Sequence, residues 1–235
     1  MKRQFGFALF GYALFLGGCT ETVDSTNIKT PGIAATIVAT ADSDTSTTVV
    51  ATLQVGGPSS NTYVNLEAGD QIFATNGTDR KAMQADGEGV YVATFATAVE
   101  DADFAVDLQR TVEADAPANS GTLPAPLALT VGASAVSRDA DITFTWTPSG
   151  SKDNVSLKLS GSCIFTKTID VPGDTGTHTV SGGTLQPTNS NMPGDSCDVT
   201  VDIQRSRAGT TDPGFDTEST FMLHQKRSGT FTSTP

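Results

Sequence analysis

The stretch CDVTVDIQ, residues 197–204, decides the fold class of this chain. Its apolar residues stand at every second position and alternate with Asp, Thr and Gln. Because successive side chains of a β-strand point to opposite faces, this period of two predicts a strand with one buried and one solvated face. We therefore expect antiparallel sheets that pack together through their apolar faces.

The same period of two runs through three other parts of the sequence. These are TTVVATLQVGG (47–57), DFAVDLQR (103–110) and DITFTWTP (141–148). Clusters of Gly, Pro, Asn, Asp and Ser separate these stretches, as expected of turns. No ten-residue segment after Cys19 has the 3.6-residue period of a helix. The sequence therefore predicts an all-β chain.

An internal repeat predicts two domains of similar topology. Val106-Asp-Leu-Gln-Arg110 matches Val201-Asp-Ile-Gln-Arg205, which lies 95 residues further along the chain. Repetition at a fixed offset indicates that one structural unit is used twice. We expect two tandem antiparallel β-sandwiches, comprising residues 32–128 and 129–235.

The boundary between the two predicted domains lies near Leu129. An approach rich in Ala and Pro precedes it, which suits an edge strand leading to a domain junction. In each half a further stretch follows the repeated arginine, residues 122–130 in the first and 219–227 in the second. Each of these stretches is predicted to form the closing strand of its domain.

Three features of the second half follow one another in a set order. Trp146 lies in an early strand (TFTWTPSG), Leu185-Gln186-Pro187 comes later, and an alternating strand then begins at Cys197. This order resembles fibronectin type III and immunoglobulin-like modules. The resemblance implies a β-sandwich and no particular function, since such folds carry many functions.

The first 18 residues predict an export signal. Basic residues open the chain, and an apolar run follows from residue 5 to residue 16. As a helix this run of 12 residues spans about 18 Å, whereas a bilayer's hydrocarbon core is about 30 Å thick. The run is therefore too short to serve as a permanent transmembrane helix.

The apolar run ends in Leu16-Gly17-Gly18-Cys19, which resembles the lipobox of bacterial lipoproteins. The resemblance implies cleavage before Cys19 and a diacylglycerol on its sulfur, so that the chain's first partner is the lipid bilayer. Thr20 in place of Asp after the cysteine implies the outer membrane. Residues 19–31 are polar and lack a period, which predicts a flexible tether. The alternative is an ordinary signal peptide with an incidental cysteine.

The other two cysteines, Cys163 and Cys197, are predicted to form a disulfide. An even pair in an exported protein favours a bridge. By strand parity, Cys163 shares a face with Leu157 and Leu159, and Cys197 shares one with Val199, so both sulfurs are expected to point inward. The type III resemblance implies that the two strands are antiparallel neighbours. A reactive or metal-binding pair is the alternative, and it lacks the usual spacing.

Charge and motifs limit the remaining functions. The net charge is −12, which disfavours nucleic acid as a partner. His178 and His224 have no partners at catalytic or metal-ligand spacing, and no nucleotide-binding loop appears, so we expect no enzyme activity and no cofactor. Acidic pairs such as Asp139 and Asp141 are weak calcium candidates, with turn formation and solubility as the alternative roles.

These observations predict an anchored envelope lipoprotein with a structural, adhesive or protein-binding role. Its partner would be an envelope or extracellular protein, bound through strand edges and loops. The alternative is an accessory lipoprotein that binds carbohydrate or calcium. Carbohydrate binding would need an exposed aromatic cluster, for which the candidates are Tyr63, Phe73, Tyr91 and Phe95. A hydrolase would need a pocket that joins an acidic residue to a histidine.

Overall fold

The computed structural model describes residues 20–188 and 195–235, and there the chain consists of strands and two short 3₁₀ turns. This confirms the all-β prediction. The predicted signal peptide and the lipidation site at Cys19 lie outside the described residues. The strands in chain order are β1 (Glu21–Asp24), β2 (Ile33–Ala41), β3 (Thr47–Val55), β4 (Thr62–Asn65), β5 (Gln71–Asn76), β6 (Asp79–Ala82), β7 (Gln84–Ala85), β8 (Val90–Phe95), β9 (Asp103–Gln109), β10 (Ala116–Thr122), β11 (Thr130–Val131), β12 (Ala135–Ser137), β13 (Ile142–Thr145), β14 (Asn154–Gly161), β15 (Ile164–Val171), β16 (Thr177–Val180), β17 (Cys197–Ala208) and β18 (Thr220–Thr234).

The first sandwich packs strands β2, β3 and β8 against a four-stranded sheet in the order β10-β9-β5-β6. Alternate residues of the opposing strands point inward and form core 1, which includes Ile37, Leu53, Phe95, Phe104 and Leu108. Phe95 and Phe104 pack edge to face with their ring centres 5.5 Å apart. Such aromatic contacts add to the stabilisation from burial.

The second sandwich is built in the same way. Strands β11, β13 and β16 pack against a sheet in the order β15-β14-β17-β18, and core 2 includes Phe144, Trp146, Leu157, Val201 and Phe231. The repeated sequence forms β9 in one sandwich and β17 in the other. Two antiparallel β-sandwiches of similar topology are therefore present, as the repeat predicted.

One long strand joins the two sandwiches. The first part of β18 pairs in parallel with β2, from Thr220 opposite Thr36 to Gln225 opposite Ala41, and residues 222–233 of the strand pair with β17. Because residues two apart share a face, Phe221 enters core 1 while the later part of β18 covers core 2. A single continuous sheet thus covers both cores.

This sharing was not expected from the sequence. Three residues from the range predicted for the second sandwich, Phe215, Phe221 and Leu223, lie in core 1. They reach it because β17 and β18 form a hairpin that extends past core 2. The bounds 32–128 and 129–235 remain a prediction, and the hairpin is the point at which the two units overlap.

A polar seam lies between the two cores, and we define it as Arg205, Arg207, Gln225 and Arg227. These inward-facing residues of β17 and β18 bind loops of both sandwiches. Arg207 ion-pairs with Asp101 of the first sandwich at 2.7 Å and with Asp153 of the second at 2.9 Å, while Gln225, Arg205 and Arg227 donate to backbone carbonyls.

The fully buried Arg205 is the centre of the seam. Its Nη2 lies 2.8 Å from Oδ2 of Asp174, and neither side chain is exposed to solvent. It also donates to the carbonyl oxygens of Pro126 (3.0 Å) and Thr147 (2.7 Å). Burial raises the pKa of Asp174, but hydrogen bonds from Ser149, Trp146 and Arg205 outweigh that effect and lower the pKa to about 2.

The first sandwich has an equivalent arginine in the repeated motif. Arg110 ion-pairs with Asp70 at 2.6 Å, with both side chains almost fully buried. It donates to the carbonyl oxygens of Ser25 (2.6 Å) and Ile28 (3.1 Å). Each repeated arginine therefore holds the chain segment that leads into the first strand of its own sandwich, which gives the internal repeat a structural reason.

Two predictions about connecting segments are wrong. The predicted tether, residues 19–31, is not loose from Glu21 onward, because β1 pairs in parallel with β4 and Arg110 donates to Ser25, Ile28 and Thr30 in and beside the two 3₁₀ turns. The stretch 122–130 is not a closing strand, because β10 closes the first sandwich and residues 123–129 form no strand. Their carbonyl groups instead accept hydrogen bonds from the seam. Composition does not reveal such contacts.

The predicted disulfide is present and joins Cys163, just after β14, to Cys197 at the start of β17. Their Cα atoms are 5.7 Å apart, and the two residues lie 34 positions apart in sequence. Strands β14 and β17 are antiparallel neighbours, which confirms the expected pairing. Both cysteines pack with core 2.

Replacing both cysteines, Cys163→Ala with Cys197→Ala, is expected to lower the free energy of unfolding by about 3–4 kcal/mol, because the unfolded chain loses a loop constraint. Urea unfolding of the oxidised protein and the double variant measures the difference. Wild-type protein treated with reductant should match the variant. Equal unfolding midpoints for all three samples would show that the bridge does not stabilise the fold.

Candidate functional site

The outward surface of the continuous sheet contains a patch without charged side chains, and we call it the uncharged face. Strand register aligns its residues in three rows across β8, β3, β2, β18 and β17. The upper row is Val90, Thr52, Thr36 and Thr220; the middle row is Val92, Val50, Val38, Met222 and Ala208; the lower row is Thr94, Thr48, Thr40, His224 and Ser206.

The middle row is apolar across all five strands and lies between two polar rows rich in threonine. All fourteen side chains are half-buried or exposed rather than part of a core. Cross-strand neighbours are about 4.8 Å apart, and same-face residues along one strand are about 7 Å apart. The result is a regular surface of methyl and hydroxyl groups.

His224 is the one titratable residue on the uncharged face. Its Nδ1 lies 2.9 Å from Oγ of Ser206, and burial lowers the pKa of the ring. The imidazole is therefore neutral at pH 7, and the face carries no charge.

The remainder of the same sheet provides an internal comparison. Beyond His224 the outward positions include Asp198, Asp202, Lys226, Lys158 and Asp170, and Lys226 pairs with Asp202 at 3.4 Å. The strands in this charged part of the sheet require β-forming residues as much as the strands of the uncharged face do, yet many of their outward side chains are charged. Strand propensity alone therefore does not explain the absence of charge on the other half.

The Ser206–His224 pair lacks the third member of a Ser-His-Asp triad in the described parts of the chain. In such a triad an acidic side chain orients the base, and no acidic side chain there bonds to His224. A depression of about 450 Å³ nearby is lined by Ser206, Asn154, Ser156 and Asp170, but not by the histidine. His178 lies apart from it on β16, opposite Phe144.

The calcium candidates do not assemble a cation site in the described structure. Asp141 accepts a hydrogen bond from the backbone N–H of Gly182 at 2.9 Å, and the N–H of Asp139 donates to Ser137. Within residues 20–188 and 195–235, no group of three or more His, Cys, Asp or Glu side chains is placed to hold a metal ion. Asp141 therefore ties the turn between β12 and β13 to the segment after β16, and Asp139 contributes its backbone N–H to that turn.

The aromatic residues considered for carbohydrate binding are dispersed. Phe95 and Tyr91 are buried, and the Tyr91 hydroxyl bonds to the backbone of Val64 and Leu66. The guanidinium of Arg80 covers the ring of Phe73 at 3.6 Å. Stacking on a sugar needs an open ring face, which burial removes at Phe95 and Tyr91 and which Arg80 covers on one side of Phe73.

The uncharged face was not predicted from the sequence. Strand β2 (IAATIVATA) was not predicted, and the pairing of β2 with β18 cannot be read from either stretch alone. A signal was nevertheless present: the outward positions of residues 47–55 (Thr, Val, Thr and Gln) include no charged residue, whereas those of 103–109 include Asp103 and Asp107.

Comparison with known proteins returns similarity in fold and no relative in sequence. No protein-family model matches the chain, and no curated protein matches it. A two-domain fibronectin type III segment of chicken tenascin aligns with 85% of this chain and 98% of its own length, at 10% identity and a TM-score of 0.30. A four-repeat segment from the extending region of a large adhesion protein aligns with 84% of this chain and 49% of its own, at 15% identity and a TM-score of 0.25.

The structure thus defines an all-β chain of two fused antiparallel β-sandwiches. In the described part of the chain, no helix is long and apolar enough to cross a membrane. The buried ion pairs have structural roles within the sandwiches and at their seam. The uncharged face is the feature that the fold itself does not require.

Proposed function

We propose that this chain is a non-catalytic lipoprotein of the bacterial outer membrane that presents two fused sandwiches and binds a protein through the uncharged face. The uncharged face is the observation that carries this proposal. On a chain of net charge −12, fourteen adjacent outward residues without charge form a surface that can be desolvated at low cost. Its middle row supplies apolar area, and its threonines supply hydrogen-bond donors and acceptors.

The N-terminal segment supports the anchoring part of the proposal. The lipobox resemblance assigns the lipid to Cys19, and β1 begins two residues later at Glu21. Two residues span at most about 7 Å, so an anchored first sandwich would lie close to the lipid headgroups. Close attachment limits the orientations of the sheet, which favours contacts parallel to the membrane.

Lipidation is tested by feeding cells a radioactive or clickable fatty acid and isolating the full chain. We expect label on the wild type and on the Cys163→Ala, Cys197→Ala variant, and none on Cys19→Ala. The Cys19→Ala chain should also leave the membrane fraction, because no acyl chain remains to hold it. Label retained without Cys19 would refute the anchor.

Binding through the uncharged face is tested with a photo-crosslinking amino acid placed at Val50, in the middle row. Irradiation of cells should yield a protein adduct from this position. The matched control places the same amino acid at Val112, which is 85% exposed and lies outside the face. Adducts from neither position, or equally from both, would contradict a binding role for the face.

A further inference from the structure

We infer that the protein bound by the uncharged face is a second copy of this chain, and this inference rests on the proposed function. Two identical sheets would pack face to face about a two-fold axis that runs along the middle row. Face-to-face packing of twisted sheets is the same arrangement that forms each sandwich core. Each copy would contribute the same patch, as in an isologous dimer.

The order of the rows makes the face complementary to itself. Rotation about an axis along the middle row brings that row onto its own copy and exchanges the upper and lower rows. Val50 and Val38 then meet apolar side chains, while Thr52 and Thr36 of the upper row meet Thr48 and Thr40 of the lower row, and Thr220 meets the neutral His224. If one half of the face were polar and the other half apolar, the same two-fold rotation would place polar side chains of one copy against apolar side chains of the other.

Charge also selects this face for contact between copies. Two chains of net charge −12 repel one another, and opposed carboxylates at an interface destabilise a complex. The charged half of the sheet, with Asp198, Asp202 and Asp170, would bring acidic groups together. Within the uncharged face no such repulsion arises, because His224 is neutral at pH 7.

The size of the patch predicts a weak dimer that depends on the membrane. Five strands about 4.8 Å apart and five residues of about 3.4 Å each give roughly 400 Å² per copy. A stable interface buries about 800 Å² per partner, so free chains should associate weakly. Anchoring both copies in one bilayer raises their effective concentration and favours the dimer.

The test uses Val50→Cys in the full chain, oxidised in its native membrane. The sequence has three cysteines, of which Cys19 is assigned to lipid and the other two form a disulfide, so the introduced thiol is the free one. We expect a reducible dimer of twice the chain mass, at least tenfold more abundant than from the matched control Val112→Cys. Adding Val38→Asp to Val50→Cys should remove most of the dimer through charge repulsion.

Circular dichroism of the Val38→Asp variant shows whether it remains folded, and a folded variant that still forms the dimer would overturn the inference. So would the absence of dimer from Val50→Cys. The Val50 photo-crosslink separates the two proposals. An adduct to a different protein would leave the binding role intact and reject the second copy, whereas no adduct would reject both.

Discussion

Replacing Arg205 by Ala is expected to lower the free energy of unfolding by about 3–5 kcal/mol, among the largest effects of any single change in this chain. The substitution leaves the Asp174 carboxylate buried without its charged partner. It also removes the donors to the carbonyl groups of Pro126 and Thr147. Pro126 lies in the strand-free segment 123–129 and Thr147 lies in the second sandwich. The substitution therefore removes the contact at the centre of the seam, which holds these two segments together. Urea unfolding monitored by Trp146 fluorescence measures the loss.

An exposed ion pair provides the matched control. Arg80 lies 2.9 Å from Asp107 on the surface of the first sandwich, and 41% of the Arg80 side chain is exposed. Surface pairs contribute about 0–1 kcal/mol, so Arg80→Ala should have a much smaller effect. If the two arginine variants unfold at similar urea concentrations, the buried pair does not have the role assigned to it.

Acid provides an independent test of the same ion pair. The pKa of Asp174 is lowered from 3.8 in the unfolded chain to about 2 in the folded protein. Its stabilisation is therefore complete above pH 4 and is lost as the pH falls towards 2. The Asp174→Asn variant lacks this ionisation, so its unfolding energy should change less steeply between pH 4 and pH 2. Identical pH slopes would contradict the lowered pKa.

The same seam shows which parts of the fold could be predicted from sequence. Alternation identified β3, β9, β13 and β17, because one-sided burial dictates a period of two within each strand. The repeat located Arg110 and Arg205 at equivalent positions. It did not identify Asp70 and Asp174 as their partners, since those acids lie in loops whose spacing from the strand differs between the two halves.

Contacts between distant strands were not predictable in this way. The parallel pairing of β2 with β18 joins residues more than 180 positions apart, and a period of two says which face a residue occupies but not which strand lies beside it. The uncharged face depends on that pairing, because its rows exist only once β18 lies next to β2. The candidate site therefore required the structure, although its threonines and valines were visible in sequence.

Replacing Phe221 by Ala tests whether the hairpin of β17 and β18 completes the first sandwich. Phe221 is 2% exposed and packs in core 1, although most residues of that core come from the first half of the chain. Truncating a buried Phe leaves a cavity, so the free energy of unfolding should fall by about 3–5 kcal/mol. Hydrogen exchange should show faster exchange in β9 and β3, because both strands line the same core.

The neighbouring Met222→Ala variant is the matched control, since Met222 lies on the same strand but points outward. Its effect should be about 1 kcal/mol or less. A fused fold requires that Phe221→Ala loosen the first sandwich, whereas independent sandwiches would confine faster exchange to residues 129–235. If the amides of β9 are equally protected from hydrogen exchange in the wild type and in Phe221→Ala, the two sandwiches do not share a core. The cavity would then lie in a unit that the first sandwich does not need.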